Sequence, residues 1–168
     1  CGDRVLDVAC GTGIVPRTFA PIVGRSGEVT GLDISPPMLN IARSIPKPSG
    51  AEITFVEGNA QGMVFASQTF DLVTCQTVLI HLPDPREALR EMVRVLRPGG
   101  ALLVVEPNNM ASAMVTSTVT STDLIETRLA LARFQFTCER GKAALGLGDN
   151  SIGDLVPGMF AELGLRDI

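Results

Sequence analysis

The stretch Val5-Leu6-Asp7-Val8-Ala9-Cys10-Gly11-Thr12-Gly13 decides the fold. Val5 to Ala9 is an apolar run of strand length, interrupted only by Asp7, and it leads directly into a loop with two glycines. A buried parallel strand that delivers a glycine-rich turn is how an α/β sheet presents backbone to a ligand at its carboxyl edge. Gly11 and Gly13 lack a Cβ, which lets that backbone come close. Four more runs share the apolar character: Glu28 to Leu32, Ile53 to Val56, Phe70 to Cys75 and Ala101 to Glu106. Segments of helical length separate them. The alternation predicts right-handed βαβ units and an α/β, Rossmann-like, doubly wound and mostly parallel sheet in three αβα layers.

The helices carry their own punctuation. Asp84 at an N-cap, Pro85 in the first turn and Glu87 in a capping-box position predict a helix over Asp84 to Leu96, with an apolar face of Ala88, Leu89, Met92, Val93 and Leu96. Arg97-Pro98-Gly99-Gly100 ends it. Ser35, followed by Pro36 and Pro37, predicts a second helix start, capped by the serine hydroxyl, with Met38, Leu39, Ile41 and Ala42 toward the sheet. Beyond Glu106, the Ser/Thr/Ala-rich stretch Met110 to Thr122 has no clean period and is expected to be a connection or cap. Ile125, Leu129, Ala132 and Phe136 then recur at helical spacing, before a flexible Gly141 to Gly148 region. Ile152, Leu155, Val156, Met159, Phe160 and Leu163 repeat the pattern, with Pro157-Gly158 expected to delay or kink the helix. Leu165 to Ile168 reads as the beginning of another strand.

The 168 residues suit one domain, and a hydrophobic content of 45% fills a core of that size. The single domain is expected to span 1–168, with 107–150 as a cap over an acceptor site. No apolar run approaches the roughly 18 residues of a membrane span, and no signal peptide is recognisable. Net charge is −4, with Lys and Arg scattered, which argues against nucleic acid and for small-molecule partners. Cys1, Cys10, Cys75 and Cys138 form no CxxC pair, and a single histidine leaves too few ligands for zinc, so no metal is expected. Reduced, mostly buried cysteines point to the cytoplasm.

Asp33 stands twenty residues after Gly13, at the end of the second strand, where its carboxylate can accept from the hydroxyls of a ribose. Loop plus acid serves NAD as well as other nucleotides. Pro16 occupies the position of the third glycine of the dinucleotide fingerprint, however, and weakens close helix-to-strand packing there. Asp7 is the second discriminator, since an acid in an apolar strand is costly unless paired, and a ligand carrying an ammonium and a sulfonium would pair it. Simpler readings stand beside these. Asp7 can be satisfied by loop amides, Gly11 and Gly13 can serve a tight turn, and Asp33 can be a helix cap or a solvated loop acid.

These residues resemble class I S-adenosylmethionine (SAM)-dependent methyltransferases, particularly the small-molecule branch with the ubiquinone and menaquinone C-methyltransferases. Val5 to Gly13 matches the first motif of that family, and Val29-Thr30-Gly31-Leu32-Asp33-Ile34-Ser35 with Met38-Leu39 matches the second. Glu57-Gly58-Asn59-Ala60, Phe70-Asp71-Leu72-Val73 and Arg94-Val95-Leu96-Arg97-Pro98-Gly99-Gly100 follow in order. The resemblance implies that Asp7, Ala9, Gly11 and Gly13 contact the methionine end of SAM and Asp33 its ribose. It implies that Ile34 and Met38 pack on the adenine, Asn59 and Ala60 meet its edge, and Gln76 and Thr77 lie near the methyl group. Asn59 replaces the usual aspartate, so its oxygen accepts without bringing charge. It also implies seven strands with helices before the first, so this chain reads as a core truncated at both ends.

His81, the sole histidine, follows the fourth strand where the family's acceptor pocket opens, and its pKa class suits a general base. The bland alternative is a polar residue stabilising the next helix. The absence of Tyr and Trp leaves seven Phe and six Met to shape an apolar acceptor pocket, as for a quinol, polyketide or lipid-like metabolite. Two other functions are open at this point: a nicotinamide-dependent oxidoreductase and a non-catalytic nucleotide-binding scaffold. An unpaired fifth-strand edge would favour a homodimer.

Overall fold

The computed structural model describes residues 2–114, 122 and 124–168; Cys1 and residues 115–121 of the Ser/Thr-rich stretch lie outside the described residues. The chain runs β1 (Arg4–Val8), α1 (Ile14–Val23), β2 (Glu28–Asp33), α2 (Pro36–Ser44), β3 (Glu52–Glu57), β4 (Phe70–Gln76), a 3-10 turn (Leu79–His81), α3 (Pro85–Val95), β5 (Leu96–Val105), α4 (Asn109–Met114), α5 (Ile125–Ala144), a second 3-10 turn (Ile152–Asp154) and α6 (Val156–Glu162). It divides into two compact units, Cys1–Val78 with Arg86–Val105, and Leu79–Pro85 with Glu106–Ile168.

The first unit holds the sheet, in the order β3-β2-β1-β4-β5, with every pair parallel. All five expected strands are present and helices flank them, which is the Rossmann-like α/β class. The runs in the middle of the sheet form strands because their apolar side chains find a buried surface: Val5, Leu6, Val8, Val29, Leu32, Ile53, Val73 and Cys75 are almost wholly inaccessible, whereas Leu103 and Val105 of β5 are exposed. Pro16, Ala20 and Val23 form the buried side of α1, so Pro16 sits in the core rather than loosening that helix. In α2 only Leu39 and Ala42 are buried, whereas Met38 and Ile41 are exposed, because a short helix places only one residue per turn squarely on the sheet. Ser35 occupies the N-cap position without a side-chain cap bond. The Asp33 carboxylate accepts from the Ser35 amide in its place, at 2.8 Å.

β5 begins at Leu96, five residues before the expected Ala101. Phe70 pairs with Leu96 and Leu72 with Ala101, so Arg97-Pro98-Gly99-Gly100 is absorbed as a bulge, with Gly99 in the left-handed region. The stop signal is real, but it acts within the strand.

In the second unit α4 was not expected. It starts because the Asn108 side-chain oxygen accepts from the Ala111 amide at 2.8 Å, and none of its residues is buried. The stripe in α5 is a helix but not a core face, since Ala132 alone is buried while Ile125, Leu129 and Phe136 are exposed. α5 also continues through Gly141 to Ala144, into the region expected to be flexible. Pro157 falls in the first turn of α6, where its missing N–H costs nothing, and Ile152, Val156 and Met159 are buried. Leu165 to Ile168 forms no strand: the Leu165 amide closes the end of α6 on the Phe160 carbonyl at 3.1 Å, and Asp167 takes a left-handed φ of 55°.

Candidate active site

Strand order reverses direction between β1 and β4, since β2 and β3 lie on one side of β1 and β4 and β5 on the other. In an open parallel sheet, the crevice beyond the carboxyl ends of such a pair is where ligands bind. Here it is a cleft of 290 Å³ lined by Asp7, Ala9, Cys10, Gly11 and Thr12 from the β1 side and by Gln76 and Thr77 from β4. Ala9 and Thr77 directly follow the neighbouring strands β1 and β4, and both have φ of 56°, a left-handed conformation that residues other than glycine avoid. Two such residues on one cleft concentrate backbone strain where a ligand-facing turn is needed.

The two glycines do different work. A Cβ on Gly11 would project into open space, so this glycine faces the cleft. A Cβ on Gly13 would fall 2.7 Å from the Phe55 ring and also against the Arg17 guanidinium, so this one is needed by the protein's own packing. Phe55 reaches Gly13 from β3 because Gly31, its register partner in β2, has no side chain; a Cβ there would sit 2.9 Å from the same ring.

The Asp33 side chain is buried and tied on both sides. One carboxylate oxygen accepts from the Gly11 amide and the other from the Ser35 amide, each at 2.8 Å. The acid thus couples the end of β2 to the glycine loop, and each oxygen retains a lone pair for a ribose hydroxyl. The capping and ligand-binding readings are compatible.

Asp7 is 2% exposed. Loop amides do not satisfy it: its hydrogen-bond partner is the Thr74 hydroxyl, 3.4 Å away on the facing strand. Burial pushes its carboxyl up to about 7; the Thr74 bond opposes this and the nearby Asp33 charge adds to it. A carboxylate held so poorly in an apolar strand matches a cationic ligand group. Burial likewise pushes the Cys10 thiol up to about 12, which makes it an inert neighbour and not a nucleophile.

Of the residues expected at the cofactor site, Asp7, Ala9, Gly11, Gln76 and Thr77 share the cleft, and Asp33 joins it through Gly11. Gly13 stands behind the loop. Ile34 and Met38 lie outside the lining, 66% and 44% exposed at the start of α2, an unusual setting for large apolar side chains. Asn59 is exposed after β3, where its side-chain oxygen accepts from the Gln61 amide at 2.9 Å; Ala60 beside it is buried. Asn59 therefore first serves its own turn, with one lone pair left. His81 ends the 3-10 turn of the second unit and is exposed. That turn is fixed by residues the sequence reading passed over. Glu106 accepts from the Leu79 amide at 2.9 Å, and Lys142 donates to the Ile80 carbonyl at 2.6 Å.

Thr74 and Arg17 were also passed over. Thr74 carries the same signal as Asp7, a polar residue in an apolar run, and the register pairs the two. Arg17 stands four residues after Gly13, one helical turn into α1, which was signal enough to place it beside the loop.

Residues 6–104 match a family model described as a methyltransferase domain. The chain is 43% identical over 122 residues to the ubiquinone/menaquinone biosynthesis C-methyltransferase UbiE of Ectopseudomonas mendocina, covering 70% of this chain and 48% of that protein. It spans about half the length of the curated relatives it matches. Among solved structures, a Bacillus halodurans C-125 protein assigned to the methyltransferases superposes with a TM-score of 0.67 at 25% identity, covering 96% of this chain and 62% of its own. A SAM-dependent methyltransferase from Mesorhizobium loti superposes with a TM-score of 0.55 at 28% identity, covering 65% of this chain and 49% of its own. With the glycine loop, the paired acids and the switch-point cleft all falling within the matched residues, the chain belongs to the methyltransferase-domain family, whose methyl donor is SAM.

Proposed function

We propose that the protein transfers a methyl group from SAM to a small, largely apolar acceptor, with a quinol-like ring the favoured member of that class. Asp7 carries the reading. A buried acid with one long hydrogen bond, lining a switch-point cleft beside the glycine loop, suits the ammonium and sulfonium of SAM, whereas it would repel the diphosphate that a dinucleotide places on such a loop. Asp7, Ala9, Gly11 and Gly13 would serve the methionine end and Asp33 the ribose. Ile34 and Met38 would cover the adenine, Asn59 and Ala60 its edge, and Gln76 and Thr77 the region of the methyl group. Bound SAM supplies an electrophilic methyl on a positively charged sulfur. The residues then have to orient it and exclude water, which is most of what such a displacement requires.

Where the acceptor must lose a proton, His81 is the proposed base, held on a turn braced by Glu106 and Lys142. The segment 107–150 is the proposed acceptor cap. Taken by itself, the second unit contains a cavity of 800 Å³ lined by Met114, Leu129, Ala132 and Phe136, with Arg133 and Arg140 among them, which favours an apolar acceptor. The names of the curated relatives favour a quinone-pathway ring carbon. The buried thiols of Cys10 and Cys75, neither in a disulfide, support a cytoplasmic setting. The scattered charge supports a small-molecule role without nucleic acid, and no described helix is long and apolar enough to cross a membrane. The outer edge of β5, with Leu103 and Val105 exposed, supports a homodimer, which light scattering would test.

Calorimetric titration with SAM, S-adenosylhomocysteine and NAD tests the cofactor. SAM and S-adenosylhomocysteine should bind and NAD should not, and binding of NAD alone would overturn the reading. His81→Gln should lower kcat by about a hundredfold, with affinity for S-adenosylhomocysteine unchanged. An unchanged kcat would remove the histidine from the chemistry.

A further inference from the structure

We infer that Arg17 is a positioning residue that sets the glycine loop for the cofactor, an inference that rests on the methyl-donor reading of the cleft. Its guanidinium meets four carbonyl oxygens from two separate elements. Nη1 donates to Thr12 at 3.0 Å and to Gly13 at 2.7 Å, while Nη2 donates to Ala42 and, at 3.1 Å, to Ile45. Thr12 and Gly13 are the turn of the glycine loop. Ala42 and Ile45 are the last turn and C-cap of α2, whose carbonyls have no partner within the helix and whose dipole favours a cation. The guanidinium also lies over the Phe55 ring, 5.5 Å from its centre.

These bonds close a circuit. Asp33 joins the Gly11 amide to the Ser35 amide at the beginning of α2. Arg17 joins the Gly13 and Thr12 carbonyls to the end of the same helix. The loop is therefore pinned through its amide on one side and its carbonyls on the other, with α2 as the rigid spacer. The separation between Gly11, facing the cleft, and Asp33, placed for the ribose, depends on both clamps. Among the described residues the Arg17 Nε is buried without a partner. This side chain gives up a bond of its own to hold the two terminal nitrogens on the carbonyls, which argues against a casual surface contact. The planar fork spreads two nitrogens and four N–H donors over the two pairs of carbonyls, whereas a lysine ammonium concentrates three donors on one atom and cannot meet all four.

The test measures S-adenosylhomocysteine affinity calorimetrically, well below each variant's unfolding temperature, for the wild type, Arg17→Met, Arg17→Lys and Arg4→Met. Arg4 also pairs with an acid and lies over a ring, Glu28 and Phe70, but at the opposite end of β1. Arg17→Met should weaken binding about tenfold or more and Arg17→Lys by a smaller factor, with faster amide exchange at Gly11 to Ile14 in both. Arg4→Met should lower the unfolding temperature and leave affinity unchanged. If Arg17→Met does not fold, the Arg17→Lys affinity decides. Wild-type affinity and exchange in a folded Arg17 variant overturn the inference while leaving the methyl-donor reading intact. Failure of the wild type to bind overturns both.

Discussion

The two edges of β1 treat a buried acid in opposite ways. On the β2 side, Asp33 is gripped by two backbone amides at 2.8 Å and belongs to a closed hydrogen-bonded circuit with the glycine loop and α2. On the β4 side, Asp7 has one hydroxyl at 3.4 Å and a carboxyl that burial has pushed up to about 7. The same residue type, in adjacent strands of one sheet, thus builds scaffold on one side and a poorly compensated charge on the other. Hydrogen bonding makes the difference: two amides meet the Asp33 oxygens, while burial of Asp7 opposes its ionised form. The contrast suits a cofactor with a neutral ribose and a cationic methionine end.

The largest expected loss of affinity comes from breaking the gripped side. Asp33→Ala leaves the Gly11 and Ser35 amides without their acceptor and removes the proposed ribose contact. Stability should fall by about 1–3 kcal/mol and S-adenosylhomocysteine affinity by about a hundredfold. Chemical denaturation and calorimetry on the same protein separate the two, and retention of full affinity would mean that this acid is scaffold alone.

Next in size is the test of the loose side. Between an ordinary carboxyl pKa of 3.8 and about 7, the folded chain holds a proton on Asp7 that the unfolded chain has released. The unfolded state then binds fewer protons, so the Asp7 contribution to stability declines as pH rises through this window and stays low above about 7. Asp7→Asn should therefore match the wild type near pH 4 and exceed its stability by on the order of 2–4 kcal/mol at pH 8. Binding should show the reverse preference. A cation needs the ionised acid, so wild-type affinity for SAM should climb with pH and level off above about 7, with proton release on binding below it, and the asparagine variant should bind weakly with a flat profile. A wild-type profile that is flat across this range would show that Asp7 does not meet the cation.

The smallest effect sharpens the comparison. Thr74→Val keeps shape and removes the hydroxyl, and since the bond is long, stability should change by less than about 1 kcal/mol. That bond lowers the Asp7 pKa, so the midpoint of the affinity profile should move to higher pH. A shift to lower pH would mean that the hydroxyl orients the acid and does not stabilise its charge.

The gathering of Asp7, Ala9, Gly11, Gln76 and Thr77 on one cleft was largely legible in the residues, because a glycine loop after a strand is carried to the carboxyl edge of a parallel sheet. The helical stripes were less so. Ile125, Leu129 and Phe136 mark a helix correctly, yet they are exposed, as are Met38 and Ile41. Periodicity records which face of a helix is apolar and says nothing of what covers it.

Strand identity and the placing of Asp7 in a strand, Gly11 in a turn and Asp33 at a strand's end followed from local pattern, since each depends on neighbours a few residues away, and the mostly parallel class followed from the alternation of strands and helices along the chain. Tertiary structure decided the rest. Only the register of β1 against β4 sets Thr74 opposite Asp7, 67 positions apart in the chain. Only the pairing of β2 with β3 lets Phe55 cross Gly31 to reach Gly13, and only the packing of α1 beside α2 brings Arg17 to the Ala42 and Ile45 carbonyls. A side chain's chemistry is written at its own position, but its charge state and its partner depend on burial and on atoms supplied from elsewhere in the fold.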